Sequence, residues 1–302
     1  MKYYSVVFYG KIGILKEEEI NIIREIYKKY PKTFYLKKSI KNGYNLSFNG
    51  IKDKNIANKI KILLTNLKDD YSYDESNYHY FFKKIKDPNY TGKCINNKIT
   101  VTEDSYMNLF QNMEQYDFYR ELSMKLDSIF FYNYFKHNKV SYIYNFLKNE
   151  YQSRKENMWY NSHLSHFWSF YSNLNEIQKY KFLKLIKDNE IEFEVEDENF
   201  DEKILSYIIN KVTYLQTEGK IDFFSPKTYE DLINNDLSTK EHKNTMKYYK
   251  SFINDVNYIS NRWFLNLVYE KMLILNYTVL DKYTINYNFA LKDNQFRVLD
   301  IV

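Results

Sequence analysis

Apolar and polar positions first fall into register at the start of the chain. "KYYSVVFYG" is a short apolar-aromatic run and predicts a strand over 3–9. "KEEEINIIREIYKKY" follows, with Ile20, Ile23 and Tyr27 at helical spacing, and predicts an amphipathic helix over 16–29. Two further runs, "TFYL" and "YNLSF", flank a polar connector containing Asn42-Gly43. Asn-Gly readily takes the positive φ angles of tight hairpin turns, so this stretch predicts strands over 33–38 and 44–49. Helical spacing returns with Ile56, Ile60, Leu63, Leu64 and Leu67, predicting a helix over 53–68.

Strand, helix, hairpin, helix is the order of a ferredoxin-like (split βαβ) unit, one sheet face covered by helices. Residues 69–100 are less regular, with turn signals at Asp87-Pro88 and Asn96-Asn97, and "NYHYFFKKI" reads as one more strand. From about 104 the period is helical: Met107, Phe110 and Met113, then Phe118, Leu122, Leu126 and Ile129. Long helical segments are expected at 139–155, roughly 159–187 and 201–218. A turn at Ser225-Pro226, a short helix from Thr228 to Leu232 and further helices complete the reading. The expected class is α+β, a ferredoxin-like unit over 1–100 and a mainly helical half over 101–302 packed against it.

Composition narrows the function classes. With 302 residues the chain can bury a substantial core. Its 33 Tyr and 22 Phe, against 6 Gly and 3 Pro, fit the codon bias of an AT-rich genome, so each aromatic is not read as a base-stacking platform. No apolar run has the length of a membrane span, and "MKYYSVVFYGKIG" is too short and polar for a signal peptide. Cys94 is the single cysteine, which excludes an internal disulfide and any CxxC metal site. These features favour the cytoplasm. No phosphate-binding glycine loop and no GxSxG elbow is present.

Charge is uneven. Residues 1–68 hold 15 Lys/Arg against 5 Asp/Glu, a local excess of +10, while 188–202 hold nine acids and no base. Such a basic unit can attract an acidic peptide or nucleic acid, or can simply be a solvated lysine face. "SHLSHFW" sets His163 and His166 three apart, a spacing that two metal ligands can use. With no third ligand at a useful distance it reads as a structural or surface pair, and neither a metal nor a cofactor is expected. "WYNSHLSHFWSFY" reads as helix core before it reads as a peptide groove.

Three stretches resemble one family, the carboxy-terminal domain of LanB-type lantibiotic dehydratases, also called the thiopeptide-type bacteriocin biosynthesis domain. In "TFYLKKSIKNGYNLSFNG" the family has a strand ending in a basic residue, a Gly-bearing turn, and a strand alternating Leu with Arg. Here Lys37-Lys38 and Gly43 match, and Asn45 and Ser47 stand where the family favours Arg. In "VTEDSYMNLFQNMEQYDFYRELSMKL", Glu103, Tyr106, Glu114, Phe118 and Ser123 fall in the family's order, without its Arg before the Tyr. In "SFINDVNYISNRWFLNLVYEKMLIL", Ser251, Asn261 and Arg262 match, and Asn257 occupies the place of a His.

The resemblance implies modification of a ribosomally synthesised precursor peptide of the bacteriocin, lanthipeptide or thiopeptide type. Family members remove glutamate from glutamylated Ser or Thr, join two dehydroalanines in a formal [4+2] cycloaddition, or append amino acids from aminoacyl-tRNA. The implied partners are the precursor peptide, with a leader that is often acidic, and a separate glutamylating dehydratase subunit. Asn257, Asn261 and Arg262 are the implied catalytic candidates; Lys37, Lys38, Asn45, Ser47, Glu103 and Tyr106 are the implied substrate-binding ones. Elimination needs a base and cationic donors, and Asn cannot take a proton near neutral pH, so these departures weigh against glutamate elimination. Cycloaddition asks more for alignment than for proton transfer. A non-catalytic module that binds a peptide or partner on the same fold is the alternative from another class. An unrelated, nucleic-acid-associated α+β protein is a third.

Overall fold

The computed structural model describes residues 2–10, 17–65, 72–84, 90–133, 139–152, 158–188, 203–221 and 254–293. The acidic run at 188–202, apart from Asp188, and the segment with Ser225-Pro226 and Thr228 to Leu232 lie outside them. The described chain is mixed α and β, with helices dominating and one small antiparallel sheet. Contacts divide the protein into two units, each discontinuous in sequence. The first comprises Met1–Asn108, Tyr116–Tyr134 and Glu270–Asn276; the second comprises Leu109–Gln115, Phe135–Tyr269 and Tyr277–Val302.

In the first unit, β1 (Tyr4–Tyr9), β2 (Tyr35–Ser39), β3 (Asn45–Ile51) and β4 (Lys98–Glu103) form a sheet in the order β2-β3-β1-β4. Every neighbouring pair is antiparallel. β3 is central and buried at all seven positions, the polar Asn45, Ser47 and Asn49 as well as the apolar Leu46, Phe48 and Ile51. The hairpin at Asn42-Gly43 is present, with Ser39 opposite Asn45. Asn42 takes φ 62° and Gly43 φ 120°. A Cβ on Gly43 would lie 2.4 Å from the Ile95 carbonyl oxygen, so this position takes glycine for both conformation and space.

Helix α1 (Glu17–Lys29) carries three glutamates in its first turn and two lysines in its last, matching the helix dipole, and buries Ile20, Ile23 and Ile26. Helix α2 (Lys54–Thr65) buries Ala57, Ile60 and Leu64. Two expectations need correcting. "NYHYFFKKI" is not a strand: Glu75–Lys84 forms helix α3. Asp74 starts it by accepting hydrogen bonds from the amides of Ser76 (2.8 Å) and Asn77 (3.2 Å), and the buried Tyr78 and Phe82 are four apart, one turn of helix. The sheet's fourth strand is instead "KITVTE", whose β-branched alternation after Asn96-Asn97 was the available signal.

The remaining helices are α4 (Met113–Asn133), α5 (Lys139–Gln152), α6 (Met158–Tyr171), α7 (Glu176–Asp188), α8 (Ile204–Thr217), α9 (Val256–Ile274) and α10 (Val279–Tyr287). The segment expected over 159–187 is two helices. Asn175 and Gln178 exchange side-chain-to-amide bonds of 2.9 and 3.0 Å, a capping box that starts α7 afresh. In the second unit, Phe167, Tyr171, Phe182, Ile186 and Tyr287 make one apolar cluster of α6, α7 and α10. The buried Glu150 of α5 accepts from the amides of Ile204 (3.1 Å) and Leu205 (2.8 Å), placing a carboxylate at the positive end of α8. Among the described residues no helix is long and apolar enough to cross a membrane.

Candidate functional site

β2 is one edge of the sheet, and its side chains alternate in direction. Tyr35 and Lys37 therefore share a face, where Tyr35 packs edge-on against Tyr119 of α4 (5.3 Å between rings). The Lys37 ammonium pairs with Glu270 of α9 at 3.0 Å and donates to the Tyr119 hydroxyl at 3.3 Å. Tyr119 in turn donates to the second Glu270 oxygen at 2.7 Å. The Lys37 nitrogen also sits 4.1 Å above the ring of Tyr106. All four residues belong to the first unit. Lys37 and Glu270 keep 20% of their side-chain surface exposed, so a solute can reach them.

Burial acts against both charges of the pair, but their mutual attraction outweighs it. Lys37 is held above the ordinary lysine value by Glu270 and Tyr106, and Glu270 below the ordinary carboxylate value by Lys37 and Lys271. Burial, reinforced by Glu270, raises Tyr119 well above the usual phenol. The centre thus presents an ammonium, a carboxylate and two protonated phenols. It can donate to a carbonyl oxygen, and its carboxylate can accept a proton from a substrate that displaces the ion pair.

A second ion pair fixes the frame beneath it. Lys271 and Asp127, both fully buried, approach to 3.0 Å. Lys271 also donates to the Leu36 carbonyl (2.9 Å), and Asp127 accepts from the Leu36 amide (2.8 Å). The outward main-chain groups of Leu36, one residue before Lys37, are thus bonded by two helices.

The other residues singled out from sequence fall as follows. Lys38 donates to Asn276 Oδ1 at 3.2 Å, and burial lowers its pKa to about 8. Asn45 is buried and donates to the carbonyls of Lys41 (3.1 Å) and Gly43 (2.9 Å), bracing the turn. Ser47, also buried, bonds the Lys37 carbonyl (3.3 Å) and accepts from Asn49 (2.8 Å). Glu103 is exposed at the end of β4 and pairs with Lys2 at 2.7 Å. Asn257 is half-buried in the first turn of α9, and the Arg262 guanidinium lies 5.9 Å from the Tyr258 ring. Lys37 and Tyr106 are brought together; Asn257, Asn261 and Arg262 belong to the second unit. Glu270 and Tyr119 had no sequence signal, because each is one of several polar or phenolic residues on its helix and nothing local sets it apart.

Asn261 is part of a different cluster. His163 is fully buried; one ring nitrogen meets Asn286 Oδ1 at 2.8 Å and the other meets the Tyr151 hydroxyl at 3.1 Å. Asn286 Oδ1 can only accept, so His163 carries its proton on Nδ1 and its Nε2 accepts from Tyr151. Tyr269 donates to the same Asn286 oxygen (2.6 Å), and Asn261 donates to Ser162 (2.8 Å). Burial lowers the His163 pKa to about 4, so the network is neutral. His166 packs its ring edge-on against Tyr269 at 5.1 Å. Cys94, beside the Tyr73 hydroxyl at 3.1 Å, has its thiol pKa raised by burial, the reverse of an activated nucleophile.

The fold and this centre define an α+β protein with a partly exposed Lys–Glu–Tyr cluster on a small antiparallel sheet. Among solved structures, the chain is similar to the pyridine synthase TbtD from thiomuracin biosynthesis, with a TM-score of 0.56 and 9% sequence identity over 100% of both chains. No protein-family model matches the chain, and no curated protein sequence does.

Proposed function

We propose that this protein modifies a ribosomally synthesised precursor peptide, acting at dehydroamino acids by elimination or by [4+2] cycloaddition. The observation that carries this reading is the likeness, over the whole of both chains, to a pyridine synthase of a thiopeptide pathway. The Lys37–Glu270–Tyr119–Tyr106 cluster is its reactive centre. Lys37 and Tyr119 donate to amide carbonyl oxygen, Glu270 accepts the proton that the chemistry releases, and Tyr106 holds the ammonium in place. Cycloaddition is the better fit: aligned donors on a peptide amide are what it needs, and the only base this centre offers is already tied to a lysine. Asn257 and Arg262 are assigned to substrate contacts rather than proton transfer, and Asn261, buried against Ser162, to the scaffold. Lys38 and Glu103 belong to the peptide-binding surface. Asn45 and Ser47 support the hairpin that carries Lys37.

The strand order β2-β3-β1-β4 with helices after β1 and β3 supports a split βαβ frame for the first unit. The expected partners are a cytoplasmic precursor peptide with an acidic leader and a separate glutamylating dehydratase that supplies its dehydroalanines. The test is incubation with a dehydroalanine-containing precursor peptide followed by mass spectrometry. Lys37→Met and Glu270→Gln should each lower processing about a hundredfold or more with the thermal melt retained. Unchanged processing in both variants removes the cluster from the mechanism. Peptide binding with no mass change in the wild type replaces the enzyme by the binding module.

A further inference from the structure

The two edges of the sheet are treated differently. At the β2 edge, Leu36 has both main-chain groups taken by Asp127 and Lys271. At the other edge, β4 is half-buried or exposed at all six positions, whereas β3 is buried throughout. The geometry says which groups of β4 face outward. The Asp104 amide donates to the Tyr3 carbonyl at 2.9 Å, next in register to Tyr4 opposite Glu103. Hydrogen-bonded and non-bonded pairs alternate along an antiparallel ladder, so Lys98, Thr100 and Thr102 bond to β1. The amides and carbonyls of Ile99, Val101 and Glu103 project to the opposite side. Among the described residues no strand pairs there.

An edge of three consecutive outward amide–carbonyl sets is a template for an added strand. Its surroundings are basic. Lys98 is exposed at one end, and Lys2 and Lys54 lie at the other around Glu103, whose carboxyl is held below its ordinary value by Lys2. Exposed Lys2, Lys52, Lys54 and Lys98 outnumber Asp53 and Glu103 and leave this edge positive. We infer that the outer edge of β4 captures an extended acidic peptide segment of about six residues as a fifth strand of the sheet. That this segment belongs to a precursor peptide rests on the function proposed above; the edge and its charge do not.

The experiment uses the full chain and two fluorescein-labelled ten-residue probes, one alternating Val with Glu and one alternating Val with Lys. Binding is read by fluorescence anisotropy, without turnover, so it stands or falls separately from peptide processing. The Val/Glu probe should bind at least about tenfold more tightly than the Val/Lys probe, and should slow hydrogen exchange at Ile99, Val101 and Glu103. Val101→Pro removes an outward amide while leaving the β1 ladder intact, and should weaken binding about tenfold. The double exchange Lys54→Glu with Lys98→Glu, at exposed positions, should reverse the charge preference. Equal binding of the two probes, or acidic-probe binding unaffected by Val101→Pro in a folded variant, overturns the proposal. Protection of those three amides by concentration-dependent self-association without probe also overturns it, and makes the edge a contact between copies of this chain.

Discussion

The two polar clusters of this protein are built by opposite rules. In the first unit Lys37, Glu270, Lys271 and Asp127 are charged, and one of the two pairs is open to solvent at 20% exposure. In the second unit His163, Asn286, Tyr269, Tyr151, Asn261 and Ser162 form a neutral, buried chain of hydrogen bonds. Charge in a protein interior is costly unless paired, so a charged and reachable centre is the candidate for the proton or carbonyl chemistry proposed above. A neutral buried network incurs a smaller cost and serves to fix which helices meet and in what register. Under the proposed function, Lys37 and Glu270 belong to the reaction and Asn261 to the scaffold.

The comparison breaks most visibly at the fully buried pair. Asp127→Ala strands Lys271 without its carboxylate and leaves the Leu36 amide unbonded. A loss of about 3–5 kcal/mol is expected in urea unfolding, with the double variant Asp127→Leu, Lys271→Met recovering much of it. A loss below about 1 kcal/mol would show that the pair is not the anchor of the β2 edge.

The neutral network should reveal itself through pH. The folded pKa of His163, about 4, lies below the ordinary 6.5, so the unfolded chain binds a proton that the folded chain refuses. Its contribution is fully present above pH 6.5 and is lost as pH falls towards 4, by about 3 kcal/mol in all. His163→Gln should flatten this part of the stability profile between pH 7 and 4.5, and an unchanged slope would mean that the imidazole is not held neutral by burial. The smallest effect belongs to the exposed pair Lys2–Glu103. Lys2→Ala should leave the melting temperature unchanged within error, because solvent and salt screen an ion pair on the surface. A clear drop there would place the β4 edge closer to the core than its exposure indicates.

Where local chemistry decides, the chain could be read directly. The turn at Asn42-Gly43, the stripe of Ile20 and Ile23, and the helical period of α4 depend on neighbours a few residues away, and each is where the pattern puts it. The segments that depart from the pattern are those where two short-range signals compete. Asp74 before α3 and Asn175 before α7 are caps, and a run of aromatics hid the first of them.

By itself, then, the sequence determined the α+β class, the central hairpin and the basic character of its first 68 residues, because periodicity, turn residues and charge are local properties. Only the tertiary structure decided that Glu270 and Tyr119 meet Lys37, 233 and 82 positions away in the chain (270 − 37; 119 − 37). It also decided that Asp127 and Lys271 hold Leu36 at one sheet edge, while among the described residues no strand pairs with the outer edge of β4. A polar residue on a helix carries no mark of the partner it will find; pairing across such separations is fixed by which faces pack, and burial then selects the charges that can be kept.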